Sequence, residues 1–167
     1  MLNLFFVRHG ESGFDALTDR ARVLTQKGHD DTLALFDQFI VQRALSFDAV
    51  FCSPYQRTQQ SCRNILDAAG FSSQCVTHLS DHLMPNSTPE SVSELLYQYA
   101  KGLDFTDSAY NILVVTHMPI IAYSLAFLVE GELQAARNYP MQPGSCAHLQ
   151  CELPLRGLST LRSIYHP

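Results

Sequence analysis

Three short apolar runs, each followed at once by polar residues, constrain the fold of this chain most. They are Leu2–Val7, the residues after Asp48 in a predicted strand over Asp48–Cys52, and Ile112–Val115. Continuous apolar runs of this length are typical of strands buried on both faces, as in parallel sheets. Segments with helical spacing separate the runs along the chain. The sequence therefore predicts an α/β fold with three layers, in which helices flank a mostly parallel sheet.

Local signals place the helices and the remaining strands. Apolar residues at three- and four-residue spacing predict a helix over residues 26–42. Ser53 as N-cap and Pro54 at the first helical position predict a second helix, which runs to Ala69 and stops at Gly70. The other predicted elements are a possible strand over Gln74–Leu79, a helix from Thr88 to about Ala100, a helix over residues 119–129, and edge strands over residues 146–151 and 160–165.

Composition limits the class of protein. A chain of 167 residues, 46% hydrophobic and 16% charged, fits one globular domain spanning residues 1–167. A net charge of −5 argues against a nucleic-acid or membrane partner. No apolar run approaches the ~18–20 residues that span a bilayer, and no leader is expected at the start of the chain. Five cysteines without a CxxC pair indicate buried, reduced thiols in a cytoplasmic protein and no zinc site.

The polar residues that follow the three apolar runs are the candidate functional residues. Arg8 and His9 follow the first run, Ser53 follows the second with Arg57 one turn later, and His117 follows the third. Ligands of open α/β sheets bind outside the carboxyl ends of the strands. We therefore expect two histidines and two arginines, distant in sequence, to meet in one crevice.

Two imidazoles and two guanidiniums suit one particular chemistry. Each guanidinium presents a planar fork of donors that matches phosphate oxygens. A neutral imidazole can attack phosphorus, and a second imidazole can stabilise the transferring oxygens. Arg57 near a helix start is disfavoured by the helix dipole, which favours an anion-binding role over that of a surface cation. These residues predict phosphoryl transfer through a phosphohistidine, with no metal or other cofactor.

Three ordered motifs carry a family resemblance. Val7-Arg8-His9-Gly10-Glu11, the segment from Ser53 to Gln60, and Val114-Val115-Thr116-His117-Met118-Pro119 resemble the signature motifs of the histidine phosphatase superfamily. The resemblance covers roughly residues 1–130 and implies a phosphoglycerate mutase-like fold. The short length and Leu24-Thr25-Gln26-Lys27-Gly28 resemble the SixA branch of small phosphohistidine phosphatases.

The resemblance implies roles for individual residues. His9 would be the nucleophile, and Arg8, Arg57 and His117 would complete the phosphate pocket. Apart from the resemblance, Ser12 is a candidate phosphate contact through its backbone amide, with the shaping of the loop as the equal alternative. The implied substrate is phosphohistidine in a signalling protein, the phosphotransfer domain of a bacterial sensor kinase. Arg22, Tyr55 and Met118 are expected at the rim of the pocket, although Arg22 is equally compatible with a solvated loop charge.

One departure from the family concerns the general acid. Larger members carry a catalytic carboxyl group in an insertion after the third strand, and this chain has little room for an insertion there. Asp81 occupies that neighbourhood and is the candidate acid, with the capping of a turn as the alternative.

Two other functions remain open at this point. One is a phosphatase for small phosphate esters such as sugar phosphates or nucleotides, which would depend more on Asp81 because an alkoxide is a poorer leaving group. The other is a module that binds a phosphorylated ligand without hydrolysing it. A phosphoglycerate mutase is disfavoured by the short chain.

Overall fold

The computed structural model describes residues 1–35, 46–68, 76–105 and 108–167. Its strands are β1 (Leu2–Arg8), β2 (Ala49–Cys52), β3 (Thr77–Leu79), β4 (Tyr110–Thr116), β5 (Cys146–Cys151) and β6 (Thr160–Tyr165). They form one six-stranded sheet in the order β3-β2-β4-β1-β5-β6. The first four strands of that order run parallel to one another. Strand β5 pairs antiparallel with β1, and β6 pairs antiparallel with β5. The mostly parallel sheet is therefore confirmed.

Helices cover both faces of the sheet. They are α1 (Gln26–Leu35), α2 (Gln56–Ala68), α3 (Pro89–Ala100) and α4 (Ile120–Val129). Alternate residues of β1 enter different cores: Phe5 and Val7 pack on the side of α1 and α2, whereas Leu4 and Phe6 pack on the side of α3 and α4. This alternation of side chains across a strand produces the predicted three layers.

The structure corrects two local predictions. Helix α2 begins at Gln56 rather than at Pro54, so Ser53 is not its N-cap. Strand β5 is not an edge strand, because it lies between β1 and β6. The predicted helix start at Thr88 is confirmed: the Thr88 side chain accepts a hydrogen bond from the Ser91 amide.

Parts of other predictions lie outside the described residues. This applies to residues 36–42 of the predicted first helix, to Ala69 and Gly70, and to residues 74–75 of the predicted third strand. Within the part of the chain that the structure describes, no helix combines the length and apolar character needed to cross a bilayer.

The register of the central strands brings the three motifs together. Strands β1 and β4 pair in parallel from Leu2 with Tyr110 to Arg8 with Thr116, so His9 and His117 follow at the same sheet edge. The amides of His9 and Ser53 extend this edge, donating to the carbonyls of Thr116 and Val115 at 3.0 Å each. The carboxyl edge of β2, β4 and β1 thus forms the floor of one site.

Candidate active site

His9 lies at the centre of the site with both ring nitrogens engaged. The ring is buried, and Nδ1 lies 2.7 Å from the carbonyl oxygen of Gly10. Nε2 accepts a hydrogen bond of 3.1 Å from Nε of Arg57. A carbonyl can only accept, so Nδ1 carries the proton and the lone pair is on Nε2. In this tautomer the Nε2 lone pair is the one that could attack an electrophile, as the predicted role of His9 requires.

Arg57 reaches His9 from the first turn of α2. Its side chain is 5% exposed, and its guanidinium lies 4.7 Å from the centre of the Tyr55 ring. Besides donating to His9, Arg57 donates from Nη1 to the backbone carbonyl of Asp19 at 2.6 Å and from Nη2 to the Asp19 carboxylate at 3.1 Å. The guanidinium is thus held at one end by Asp19 and directed at His9 by its Nε edge.

His117 faces His9 from the end of β4. The two ring centres lie 5.0 Å apart at an interplanar angle of 65°. Nε2 of His117 shares a hydrogen bond of 2.8 Å with the hydroxyl of Ser53, which is completely buried. The Tyr55 ring packs edge-on against the same imidazole, with ring centres 4.8 Å apart. Nδ1 of His117 is buried and has no hydrogen-bond partner among the described residues.

Arg8 is the second arginine of the site. Its Nη1 donates to the carbonyl of Met141 at 2.6 Å, and its Nε is buried without a hydrogen-bond partner among the described residues. A buried donor without an acceptor costs free energy. The oxygens of a bound anion would satisfy both this nitrogen and Nδ1 of His117.

Two glycines set the position of the loop that carries His9. A Cβ atom added at Gly10 would lie 2.3 Å from the carbonyl oxygen of Gly28 in α1, and one added at Gly28 would lie 2.1 Å from the carbonyl oxygen of Glu11. The Gly10 amide also donates to the hydroxyl of Ser61 in α2 at 3.0 Å. The loop is therefore in direct backbone contact with α1 and hydrogen-bonded to α2.

The segment over residues 13–24, which we term the rim loop, is hydrogen-bonded both to the loop after His9 and to the Arg57 side chain. Thr18 caps a short 3-10 helix, Asp19–Ala21, within it. Arg22 holds the loop from inside: its Nε donates to the Gly13 carbonyl at 2.7 Å and its Nη2 to the Ser12 hydroxyl at 3.1 Å. Arg22 therefore stabilises the rim loop through these hydrogen bonds, in addition to its predicted place at the rim of the pocket.

Burial and the surrounding positive charges set the ionisation of the two histidines. Desolvation, followed by the charges of Arg57, Arg8 and Arg22, lowers the pKa of His9 from 6.5 to about 4, although the hydrogen bond to Gly10 acts in the opposite direction. Desolvation and the neighbouring His9, Arg57 and Arg8 lower the pKa of His117 from 6.5 to about 2. Both imidazoles are thus neutral at pH 7 while positive charge surrounds them.

The remaining predicted site residues fall in different places. Tyr55 lies inside the site, against His117 and Arg57. Met118 is half-buried and packs against the core on the α3 and α4 side. The hydroxyl of Ser12 accepts from Arg22. Asp81 opens a short 3-10 helix after β3 and is exposed, so its role as the acid stays a prediction.

Sequence reasoning missed three contributors: Ser53 as the partner of His117, Asp19 as the partner of Arg57, and Gly28 as the contact of the His9 loop. The Thr18-Asp19 pair, with a cation three residues after Asp19, was a signal for a capped, ion-paired turn. No sequence signal paired Ser53 with a histidine 64 positions away. Among the described residues, no cluster of three or more His, Cys, Asp or Glu side chains could hold a metal ion.

Comparison with known proteins agrees with this geometry. The sequence model of the histidine phosphatase superfamily (branch 1) matches residues 4–84. The phosphohistidine phosphatase SixA of Escherichia coli K12 is 28% identical over 131 residues, which cover 78% of this chain and 76% of that protein. The SixA homolog of Haemophilus influenzae is 27% identical over 142 residues, which cover 82% of this chain and 80% of the relative.

A solved structure shows the same fold. The protein histidine phosphatase SixA complexed with tungstate superposes with a TM-score of 0.83 at 23% identity, covering 99% of this chain and 97% of that one. The matched segment of the family model contains Arg8, His9 and Arg57, and the fold places His117 beside them. In its motifs, its relatives and its architecture together, the chain is similar to the histidine phosphatase superfamily and, within it, to the SixA-type branch.

Proposed function

We propose that the protein is a phosphatase that removes the phosphoryl group from a phosphorylated histidine in a signalling protein, through a phosphohistidine formed at His9. One observation carries the proposal. Nε2 of His9 bears the lone pair, since Nδ1 donates to the Gly10 carbonyl, and Arg57 lies 3.1 Å from that atom. A cytoplasmic location and a phosphotransfer domain as the substrate belong to the same proposal.

The reaction proceeds in two displacements at phosphorus. Nε2 of His9 attacks phosphorus, the new N–P bond forms, and the bond from phosphorus to the substrate imidazole nitrogen breaks with its electron pair going to that nitrogen. The departing imidazole nitrogen then takes up a proton from solvent water. Water attacks the phosphohistidine: its oxygen bonds to phosphorus, the N–P bond to His9 breaks with its electron pair returning to Nε2, and one proton of the water returns to solvent as inorganic phosphate leaves.

Charge stabilisation in both displacements comes from the side chains around His9. Arg57 and Arg8 supply the positive charge, so we propose that the reaction requires no metal ion. With the Ser53 hydroxyl donating to Nε2 of His117, Nδ1 of His117 carries a proton and donates to a phosphoryl oxygen. The neutral state of both histidines avoids loss of the nucleophilic lone pair to protonation.

The rim loop supports a protein as the substrate. Phe14 is 85% exposed, and Leu17 is fully exposed, so two large apolar side chains face solvent on the segment that holds Arg57. The Phe14 ring is held in place by the Arg22 guanidinium, which lies 4.1 Å from its centre. Exposed, well-held apolar side chains beside a reactive site are typical of a protein-binding surface. The SixA relatives carry the name phosphohistidine phosphatase.

Trapping of the intermediate tests the nucleophile. After brief incubation with a phosphorylated substrate, the protein should carry an acid-labile, alkali-stable phosphoryl label, and His9→Ala should abolish both the label and turnover. His82→Ala is the matched control, since His82 is exposed. Turnover in His9→Ala would refute the assignment, and phosphate-dependent binding with no turnover in the native protein would favour a binding module.

A substrate panel tests the substrate class. Phe14→Ala with Leu17→Ala should lower kcat/KM about tenfold for a phosphorylated phosphotransfer domain and leave free phosphohistidine unaffected. Leu158→Ala, at a leucine 62% exposed elsewhere, is the control. In the same panel, Asp81→Asn should slow sugar phosphates more than phosphohistidine. Preference of the native protein for a sugar phosphate would overturn the protein-substrate assignment.

A further inference from the structure

Asp19 lies in the exposed 3-10 turn of the rim loop. We propose that Asp19 is a positioning residue that acts through Arg57: it holds the guanidinium so that the Nε edge of Arg57 faces the reacting phosphorus atom. The inference rests on the proposed function of His9 and Arg57 and extends it to a carboxylate outside the three motifs.

The contacts of Arg57 divide its donors into two groups. Nη1 and Nη2 donate to the backbone carbonyl and the carboxylate of Asp19, at 2.6 and 3.1 Å, whereas Nε donates to His9 at 3.1 Å. A phosphoryl group transferred to Nε2 of His9 arrives beside the Nε edge. Asp19 thus binds Nη1 and Nη2, at the end of the guanidinium that lies away from the arriving phosphoryl group.

Arg57 requires such a partner for two reasons. Arg57 as a residue is 4% exposed and belongs to the first turn of α2, where the helix dipole disfavours a cation. Its side chain has several rotatable bonds, and ordering them costs free energy unless a fixed contact holds the head group. The Asp19 carboxylate, which pairs with Nη2, and the Asp19 carbonyl, which accepts from Nη1, together meet both needs, and the geometry of the near-attack state is then set before the substrate arrives.

Asp19 is itself fixed. Arg22 donates from Nη1 to the other carboxylate oxygen at 3.0 Å, and Arg22 is anchored to Ser12 and Gly13. This produces a continuous chain of contacts from the loop after His9 through Arg22, Asp19 and Arg57 back to the His9 ring. Partial desolvation acts to raise the pKa of Asp19, but the hydrogen bonds from Arg57 and Arg22 lower it below its usual value, so the carboxylate stays ionised near neutrality.

Binding of tungstate, a phosphate-like anion, tests the inference without turnover. Asp19→Ala should weaken tungstate binding about tenfold in titration calorimetry, because Arg57 then binds the anion only after being ordered. Both variants retain the backbone carbonyl of residue 19; Asp19→Asn also keeps a side-chain oxygen acceptor without the charge, so its affinity for tungstate should fall between those of the native protein and Asp19→Ala. Asp15→Ala, an exposed aspartate of the same rim loop, is the matched control and should bind as the native protein does.

A double-mutant cycle separates positioning from a general structural role. In an Arg57→Ala background, Asp19→Ala should change tungstate binding less than about twofold, since the residue through which it acts is gone. An equal loss in both backgrounds would overturn the inference, as would tighter binding by Asp19→Ala, which would mean that the carboxylate competes with the anion. Absence of tungstate binding in the native protein would also overturn it.

Failure of the proposed function gives a different pattern. If His9→Ala still turns over but Asp19→Ala weakens tungstate binding only when Arg57 is present, the phosphohistidine mechanism is wrong and the positioning role of Asp19 stands. Under the proposed function, Asp19→Ala should also lower kcat with a phosphohistidine substrate, while formation of the phosphoenzyme stays detectable.

Discussion

The two histidines of the site follow neighbouring strands, yet they are held in opposite ways. On the β1 side, which comprises His9, Gly10, Arg57 and Asp19, both ring nitrogens of the histidine are hydrogen-bonded. On the β4 side, which comprises His117, Ser53 and Tyr55, one ring nitrogen is bonded to Ser53 and the other has no partner among the described residues. The β1 side fixes His9, the proposed nucleophile, in one tautomer, whereas the β4 side leaves Nδ1 of His117 available for the phosphoryl oxygen of the proposed mechanism.

This difference indicates separate tasks for the two sides. A nucleophile needs its lone pair aimed at one point, and the bond from Nδ1 to the Gly10 carbonyl fixes the tautomer and ring orientation that aim it. A group that stabilises transferred oxygens needs an atom that becomes bonded only when the substrate is present. Substitutions on the two sides should therefore affect separate steps.

The largest expected effect tests this division directly. His117→Ala should lower kcat by ~10²–10³, the loss typical of a removed stabilising donor, while the phosphoenzyme remains detectable. Quenched-flow measurement of phosphoenzyme formation and of phosphate release checks both quantities. If His117→Ala removed the phosphoenzyme as completely as His9→Ala does, with the fold intact by circular dichroism, the comparison would be wrong.

The free energy of unfolding should depend on pH, because both His9 and His117 are buried. The unfolded chain binds a proton on each histidine below pH 6.5, but the folded protein does so only near pH 4 for His9 and pH 2 for His117. The unfolded state thus holds more protons in this window, so stability falls as the pH falls from 6.5 toward 4. Between pH 7 and pH 5 the loss should be roughly 2 kcal/mol per histidine.

Urea unfolding at the two pH values measures this loss. His117→Gln should make the dependence shallower, whereas His82→Ala, at an exposed position, should leave it unchanged. An equally steep dependence in His117→Gln would show that the β4 histidine does not contribute.

The smallest expected effect compares two completely buried serines, one on each side. Ser53→Ala should lower kcat by about two- to tenfold, the equivalent of one hydrogen bond, because His117 loses its orientation. Ser61→Ala leaves the Gly10 amide unsatisfied and should lower the free energy of unfolding by ~1–3 kcal/mol with kcat nearly unchanged. Steady-state kinetics and urea unfolding check the pair, and exchanged outcomes would contradict the comparison.

Sequence reasoning identified the buried strands and the residues that follow their carboxyl ends. Buried strands were evident from continuous apolar runs, and the meeting of Arg8, His9, Arg57 and His117 follows from the rule that the carboxyl ends of parallel strands share one edge. Their catalytic roles remain predictions.

Long-range contacts were beyond the sequence. Ser53 followed by proline resembles a helix cap. In the structure its hydroxyl is hydrogen-bonded to His117, and α2 begins at Gln56. Asp19 resembles any solvated loop charge until Arg57 is placed beside it. Strand β5 was misplaced at the edge because its pairing with β1 and β6 depends on the path of the whole chain.

The close approach of Gly10 and Gly28 has a consequence for how this protein tolerates change. Position 28 contributes no side chain to the chemistry, yet any larger residue there would collide with the backbone beside the nucleophile. Mutational tolerance at this position of α1 is thereby tied to the placement of His9, the proposed nucleophile. A survey of inactivating substitutions should therefore include this helical glycine beside the residues that handle phosphate.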